Sequence, residues 1–138
     1  MRKVYSKSNI LFRPTNGYFN VYPYIDGAYR NNFAGRASCA IDADEWIYIV
    51  FTYDSSAGTG IRYINGDLKY ESILSGLSSY TLEGSSSNAY ISAGGQTFDG
   101  VIDEVRVSSN VRSDGWIKTC YNNQQNPTDF IIVGNEKS

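Results

Sequence analysis

A chain of 138 residues with 12 basic and 14 acidic side chains has a net charge of −2. That leaves no electrostatic field to gather nucleic acid or an anionic membrane. Histidine is absent, which excludes Ser-His and Cys-His catalytic pairs, histidine zinc sites and the commonest general base. The length suits one domain, taken as residues 1–138, with room for a sizeable core. Twelve tyrosines, six phenylalanines and thirteen glycines, with little helical periodicity, point to an all-β fold. No apolar run approaches the roughly 18 residues of a membrane-spanning helix. The basic start "MRK" is not followed by a run of signal-peptide length.

In chain order, "GYFNVYPYI" (17–25) alternates as a strand, with Phe19 and Val21 on one face and Tyr18 and Tyr22 on the other. Pro23 lacks a ladder donor, so this strand is expected to end early or lie at an edge. "DGAYRNNFAGR" reads as a long loop, "ASCAI" (37–41) as a short strand and "DADE" as a turn. "EWIYIVFTYD" (45–54) is apolar on both faces and predicts a central strand covered on both sides. "SSAGTG" is a turn. "IRYINGDLKY" (61–70) is a hairpin in which Asn65-Gly66 supplies the two positive-φ residues of a type I′ turn. Residues 72–88 look irregular, and "AYISAGG" (89–95) reads as a strand. "RSDGWIKTCYNNQ" (112–124) predicts a short helix capped by Ser113, with Trp116, Ile117 and Cys120 on one face. Cys39 and Cys120 are too few for a disulfide framework or a zinc site, and are expected to be separate thiols.

"FDGVIDEVRVSS" (98–109) reads as a further strand, with acids at its centre. Neighbouring strand residues point to opposite faces, so Asp103 and Glu104 cannot act together as a catalytic pair. Glu104 and Arg106 share a face and are expected to form a surface ion pair. Strict alternation groups Asp103 with Val101, Val105 and Val107. Three readings stay open for it: a structural hydrogen-bond acceptor, a calcium ligand helped by further oxygens, or an exposed acid turned outward by a bulge.

Tyr22, Tyr24 and Tyr29 cluster around a loop that also carries Asn31 and Asn32. Flat rings beside amides suit a sugar, whose apolar faces lie on aromatics while its hydroxyls meet polar groups. The same aromatics also read as edge and core packing.

"EWIYIVFTYD", "IRYING", "FDGVIDEVRVSS" and "RSDGWIKTCYNNQQNPTDFIIVG" together resemble the laminin-G-like, concanavalin A-like jelly-roll family. The resemblance covers roughly residues 40–134 and implies an antiparallel β-sandwich jelly roll with one short helix near the C-terminus. It implies that Asp103 stands where related jelly rolls often help hold a structural calcium. The Glu-x-Asp-x-Glu signature of laminarinase-type members is absent. Strands that usually precede the region matching "NILFRPTNGYF" are expected to be missing or to lie elsewhere in a larger protein. The resulting expectation is a non-catalytic carbohydrate-binding or adhesion module on a cell or virion surface. The alternative is an assembly module that pairs through an exposed sheet edge, with a homo-oligomer as one outcome.

Overall fold

The computed structural model describes residues 10–15, 17–33, 37–42, 44–83 and 100–130. They form two three-stranded antiparallel sheets and a C-terminal helical segment. The first sheet is β1 (Ile10–Thr15), β2 (Tyr18–Ile25) and β3 (Ala28–Tyr29). The second is β4 (Ile49–Asp54), β5 (Thr59–Ile64) and β6 (Asp67–Ile73). One-turn 3-10 helices at Asn31–Phe33 and Ala37–Cys39 lie between the sheets in sequence. Two helices follow, α1 (Asp114–Gln125) and α2 (Pro127–Phe130).

Strand alternation builds the core. Phe19, Val21 and Ile25 of β2 are buried in one cluster with Phe51, Tyr53 and Ile64 from the other sheet, so the two sheets share a single apolar layer. Phe33, Cys39 and Leu74 complete it. The other face of the second sheet is covered by α1, whose buried Ile117 packs on Val50 and Tyr63. Both faces of β4 are therefore covered, as its two apolar faces predict. Its place is different from the expectation: the described strands run β4-β5-β6, so β5 is central and β4 flanks it. The strand also starts later than predicted, at Ile49, and Trp46 is 72% exposed.

β5 supplies the tightest packing. Gly60 faces the core, and a Cβ there would fall 2.4 Å from the Phe33 ring and 2.9 Å from that of Phe51. The missing side chain lets Phe33 sit edge-on to Phe51, with ring centroids 5.5 Å apart. Two residues further on, Arg62 is completely buried. Its Nη1 donates to the Phe19 carbonyl at 2.7 Å, and its guanidinium carbon lies 4.9 Å from the centre of the Tyr70 ring. A charged group in the core needs such partners, because desolvation is costly.

The Asn65-Gly66 hairpin is as predicted, with φ of 54° and 77°. So is the helix: Ser113 caps α1 and its hydroxyl accepts from the Trp116 N–H at 3.3 Å. Cys39 and Cys120 are not joined to each other.

Several expectations are corrected. Pro23 neither ends β2 nor sets it at an edge; β2 lies between β1 and β3. The Pro23 carbonyl accepts from the Arg30 N–H at 2.9 Å, and β3 stops at Tyr29. The missing proline donor thus falls where the ladder ends. Residues 26–29 are not loop: Asp26-Gly27, with φ of 51° and 72°, makes a second tight turn and leads into β3. The 37–41 segment is a 3-10 turn with one bridge, Ala40 to Tyr18, rather than a strand. Residues 101–108 have extended sequence character but form no ladder among the described residues, and Val101 is 72% and Val107 61% exposed. The strand expected at 89–95 lies outside the described residues.

Two variants check this packing. Arg62→Ala is expected to destabilise the fold by about 3 kcal/mol, because it strands the Phe19 carbonyl and opens a cavity. Arg62→Met, closer in volume, should lose only about 1–2 kcal/mol. Gly60→Ala should cost about 1–3 kcal/mol by driving a methyl group into Phe33. Urea midpoints measure all three, and an unchanged midpoint for Arg62→Ala contradicts the assigned role.

Candidate functional site

The aromatic cluster lies on the outward face of the first sheet. Phe19, Val21, Pro23 and Ile25 point inward, so Tyr22 and Tyr24 point the other way and are half-buried. Tyr29 stands directly opposite Tyr24 in the β2–β3 ladder. Their rings meet edge to face, with centroids 5.0 Å apart and planes at 76°. The Tyr24 hydroxyl donates to the Gly27 carbonyl at 2.9 Å, which fixes that ring, while Tyr29 remains 40% exposed. Asn31 and Asn32 follow at once and are exposed. Their one-turn helix is anchored by Phe33, which fills the slot beside Gly60. The tyrosines and amides named from the sequence thus belong to one hairpin and its exit.

This hairpin is tied to the segment that follows β6. Gly27 donates its N–H to Glu83 Oε1, the Glu83 N–H donates to the Tyr24 carbonyl at 3.1 Å, and Leu82 bridges to Ile25. The Ser78 hydroxyl donates to Asp26 Oδ1. That bond, aided by Arg30, holds the Asp26 carboxyl below its ordinary pKa. Arg30 donates from Nε to the Ile25 carbonyl at 2.8 Å and from Nη2 to the Asp26 carbonyl at 2.9 Å. Deeper down, the Tyr53 hydroxyl donates to the Tyr80 carbonyl at 2.6 Å, and burial pushes the Tyr53 phenol up to about 12.

The second region singled out in the sequence is not a strand among the described residues, and Asp103 and Glu104 are both exposed. Glu104 accepts from Arg106 Nε at 2.7 Å through one oxygen and from Gln124 at 3.0 Å through the other. Both members of the ion pair are about half exposed. Asp103 is exposed, as are Val101 and Val107 beside it, so this segment sets no carboxylate in the core. Among the described residues no group of three or more His, Cys, Asp or Glu converges on a point where a metal ion could sit. Calcium at Asp103 would therefore depend on carbonyl or water oxygens rather than on a carboxylate cluster.

A cleft that sequence reasoning missed opens on the outer face of β4. Val50 and Thr52 form its floor, Tyr48 and Trp116 contribute rings, and Arg106 and Arg112 bring two guanidinium groups. The Arg112 guanidinium lies over the Trp116 ring, 4.9 Å from its centre. The only local sequence signal for this cleft was the four-residue spacing of Arg112 and Trp116 at a helix start. The approach of both to β4 is set by the packing of Ile117.

Among the described residues no helix is long and apolar enough to cross a membrane. No curated protein matches the chain. Among solved structures, an S-layer domain-containing protein from Clostridium thermocellum is similar at 17% identity, with a TM-score of 0.47; the similarity covers 88% of this chain and 65% of that one. The chain thus spans less than two thirds of that chain's length. A model of the concanavalin A-like lectin/glucanases superfamily matches residues 4–118, from before β1 into α1. With two antiparallel sheets around one core and a family match over most of its length, the chain belongs to the concanavalin A-like lectin/glucanase superfamily.

Proposed function

We propose that this chain is a non-catalytic module of a cell or virion surface that binds carbohydrate through Tyr22, Tyr24 and Tyr29, with Asn31 and Asn32 reading hydroxyls. The observation that carries the reading is the Tyr24–Tyr29 pair: an exposed ring held edge-on to a fixed one, with free amides beside it. A sugar face stacks on such a ring at little entropic cost, because the platform is already ordered. The non-catalytic part of the reading rests on the acids. Glu104 has both oxygens engaged, and the described residues present no two facing carboxylates in one cleft of the kind glycoside hydrolysis needs. A jelly-roll completion of the two sheets belongs to the same reading, as does an accessory calcium at Asp103.

A second reading has its own observation. Residues 101–108 are rich in β-branched side chains, unpaired among the described residues, and expose Val101 and Val107. That is the character of an edge open to another chain, and it favours assembly with a second subunit. Light scattering over a range of concentrations separates the two: a stable oligomer favours assembly, a monomer at every concentration counts against self-pairing.

For the carbohydrate reading, a glycan array followed by calorimetry, with and without calcium, is the direct test. Binding is expected, and Tyr29→Ala should weaken it about tenfold, a loss of ~1.4 kcal/mol. Absence of binding to every glycan at millimolar concentration removes the reading, and affinity unaffected by a chelator removes the calcium. A pH series adds a further check. The Asp26 carboxyl is depressed in the folded state, so its tie to Ser78 is complete above the ordinary value of 3.8 and is lost as pH falls below it. Affinity should therefore hold from neutral pH down to about pH 4 and decline below that. Asp26→Asn should remove this decline.

A further inference from the structure

We infer that the cleft on the outer face of β4 is a second subsite that takes a carboxylate-bearing sugar, a uronate; the inference rests on the carbohydrate reading above and narrows its ligand class.

The argument begins with charge. Three described acids around the cleft and α1 are already engaged. Glu104 is held by Arg106 and Gln124. Asp114 accepts the Tyr63 hydroxyl at 2.6 Å. Asp67 accepts from Lys118 at 2.7 Å and pairs with Lys69. Arg112 is left as a cation with no carboxylate partner among the described residues. Its guanidinium carbon lies over Trp116, 4.9 Å from the ring centre, which restrains the fork while its N–H groups can still meet a carboxylate.

The rest of the lining selects what carries that carboxylate. Val50 and the buried Thr52 make a largely apolar floor, while Tyr48 and Trp116 supply aromatic surface, as a sugar ring requires. Burial raises the Tyr48 phenol above its ordinary pKa, so at neutral pH it is a neutral hydroxyl able to donate. A phosphate-rich polymer fits less well. Arg106 is paired with Glu104, so Arg112 is the one guanidinium of the lining without an ion-pair partner among the described residues, matched to one carboxylate per ring.

The test uses the whole chain and tetrasaccharides of glucose, galactose and mannose, each beside the matching uronate tetramer. Calorimetry at low salt should show one uronate bound about tenfold more tightly than its neutral counterpart, with the advantage shrinking as salt is raised. Arg112→Gln should bring the pair to within about twofold of each other. Tyr29→Ala, on the outer face of the other sheet, should weaken the neutral tetramer and leave uronate binding at the cleft in place, so their ratio should rise. Thermal melts confirm that each variant folds, and Arg112→Lys, which keeps charge but loses the fork, should fall between wild type and Arg112→Gln. Neutral sugars bound as well as uronates, or a preference that survives Arg112→Gln, overturn this inference and leave the carbohydrate reading standing. No binding by any of the six, with none on the array, overturns both.

Discussion

The Arg62 guanidinium lies wholly within the core, on the central strand of one sheet, and donates to a main-chain carbonyl of the other. An apolar layer holds two sheets together without fixing how they are aligned, because dispersion and burial are non-directional. A hydrogen bond from a buried cation is directional and costly to leave unmade. It pins β5 to Phe19, at the start of the apolar run of β2. The strand that presents Tyr22 and Tyr24 outward is the one that Arg62 holds inward. Gly60, two residues away on the same face, lets Phe33 enter the layer and thereby seats Asn31 and Asn32 at the surface. The candidate sugar face is thus the outer side of a packing arrangement centred on β5.

The surface ties follow the same logic at lower cost. Residues 78–83 add one bridge and one main-chain hydrogen bond to the β2–β3 hairpin, with the Ser78 and Glu83 side chains locking its turn. A hairpin with a two-residue strand is marginal alone. It becomes a rigid platform because a distant segment borders it. On the opposite side of the molecule, α1 does comparable work: Ile117 packs on Val50 and Tyr63, Lys118 reaches Asp67, and the helix start brings Trp116 to β4. Tyr22 and Tyr24 stand on a strand whose other face is packed, whereas Arg112 and Trp116 stand at the start of a helix that Ile117 seats on Val50 and Tyr63.

Much of this was legible in the residues. The Asn65-Gly66 turn, the Ser113 cap and the two covered faces of the 49–54 strand follow from local chemistry that tertiary contacts do not override. Asp26-Gly27 carries the same turn signal as Asn65-Gly66, yet its surroundings have the composition of a loop. The apolar alternation that should flank it lasts only two residues on the far side, Ala28 and Tyr29. Pro23 misled for a related reason. A proline forbids one donor, not a strand, and its cost vanishes where the partner strand has already stopped. Residues 37–41 alternate weakly, and the burial of Cys39 is satisfied by a single 3-10 turn. The arginine-bearing cleft gave almost no sequence signal, because its members come from β4, the 101–110 segment and α1.

By itself the sequence determined which residues of β2 and β4 face in or out, where the Asn65-Gly66 turn lies, and that Glu104 and Arg106 pair. These are properties of chain periodicity and backbone sterics, which act between near neighbours. It also determined the family, through motifs spread along most of the chain. Tertiary structure alone decided that a buried arginine joins the sheets, that Phe33 docks against Gly60, and that Ser78 meets Asp26 and Glu83 meets Gly27 across more than fifty residues. It alone brought Arg112 and Trp116 to Tyr48. Such pairings depend on how sheets and helix stack, and no local pattern encodes the distance between residues that only packing makes neighbours.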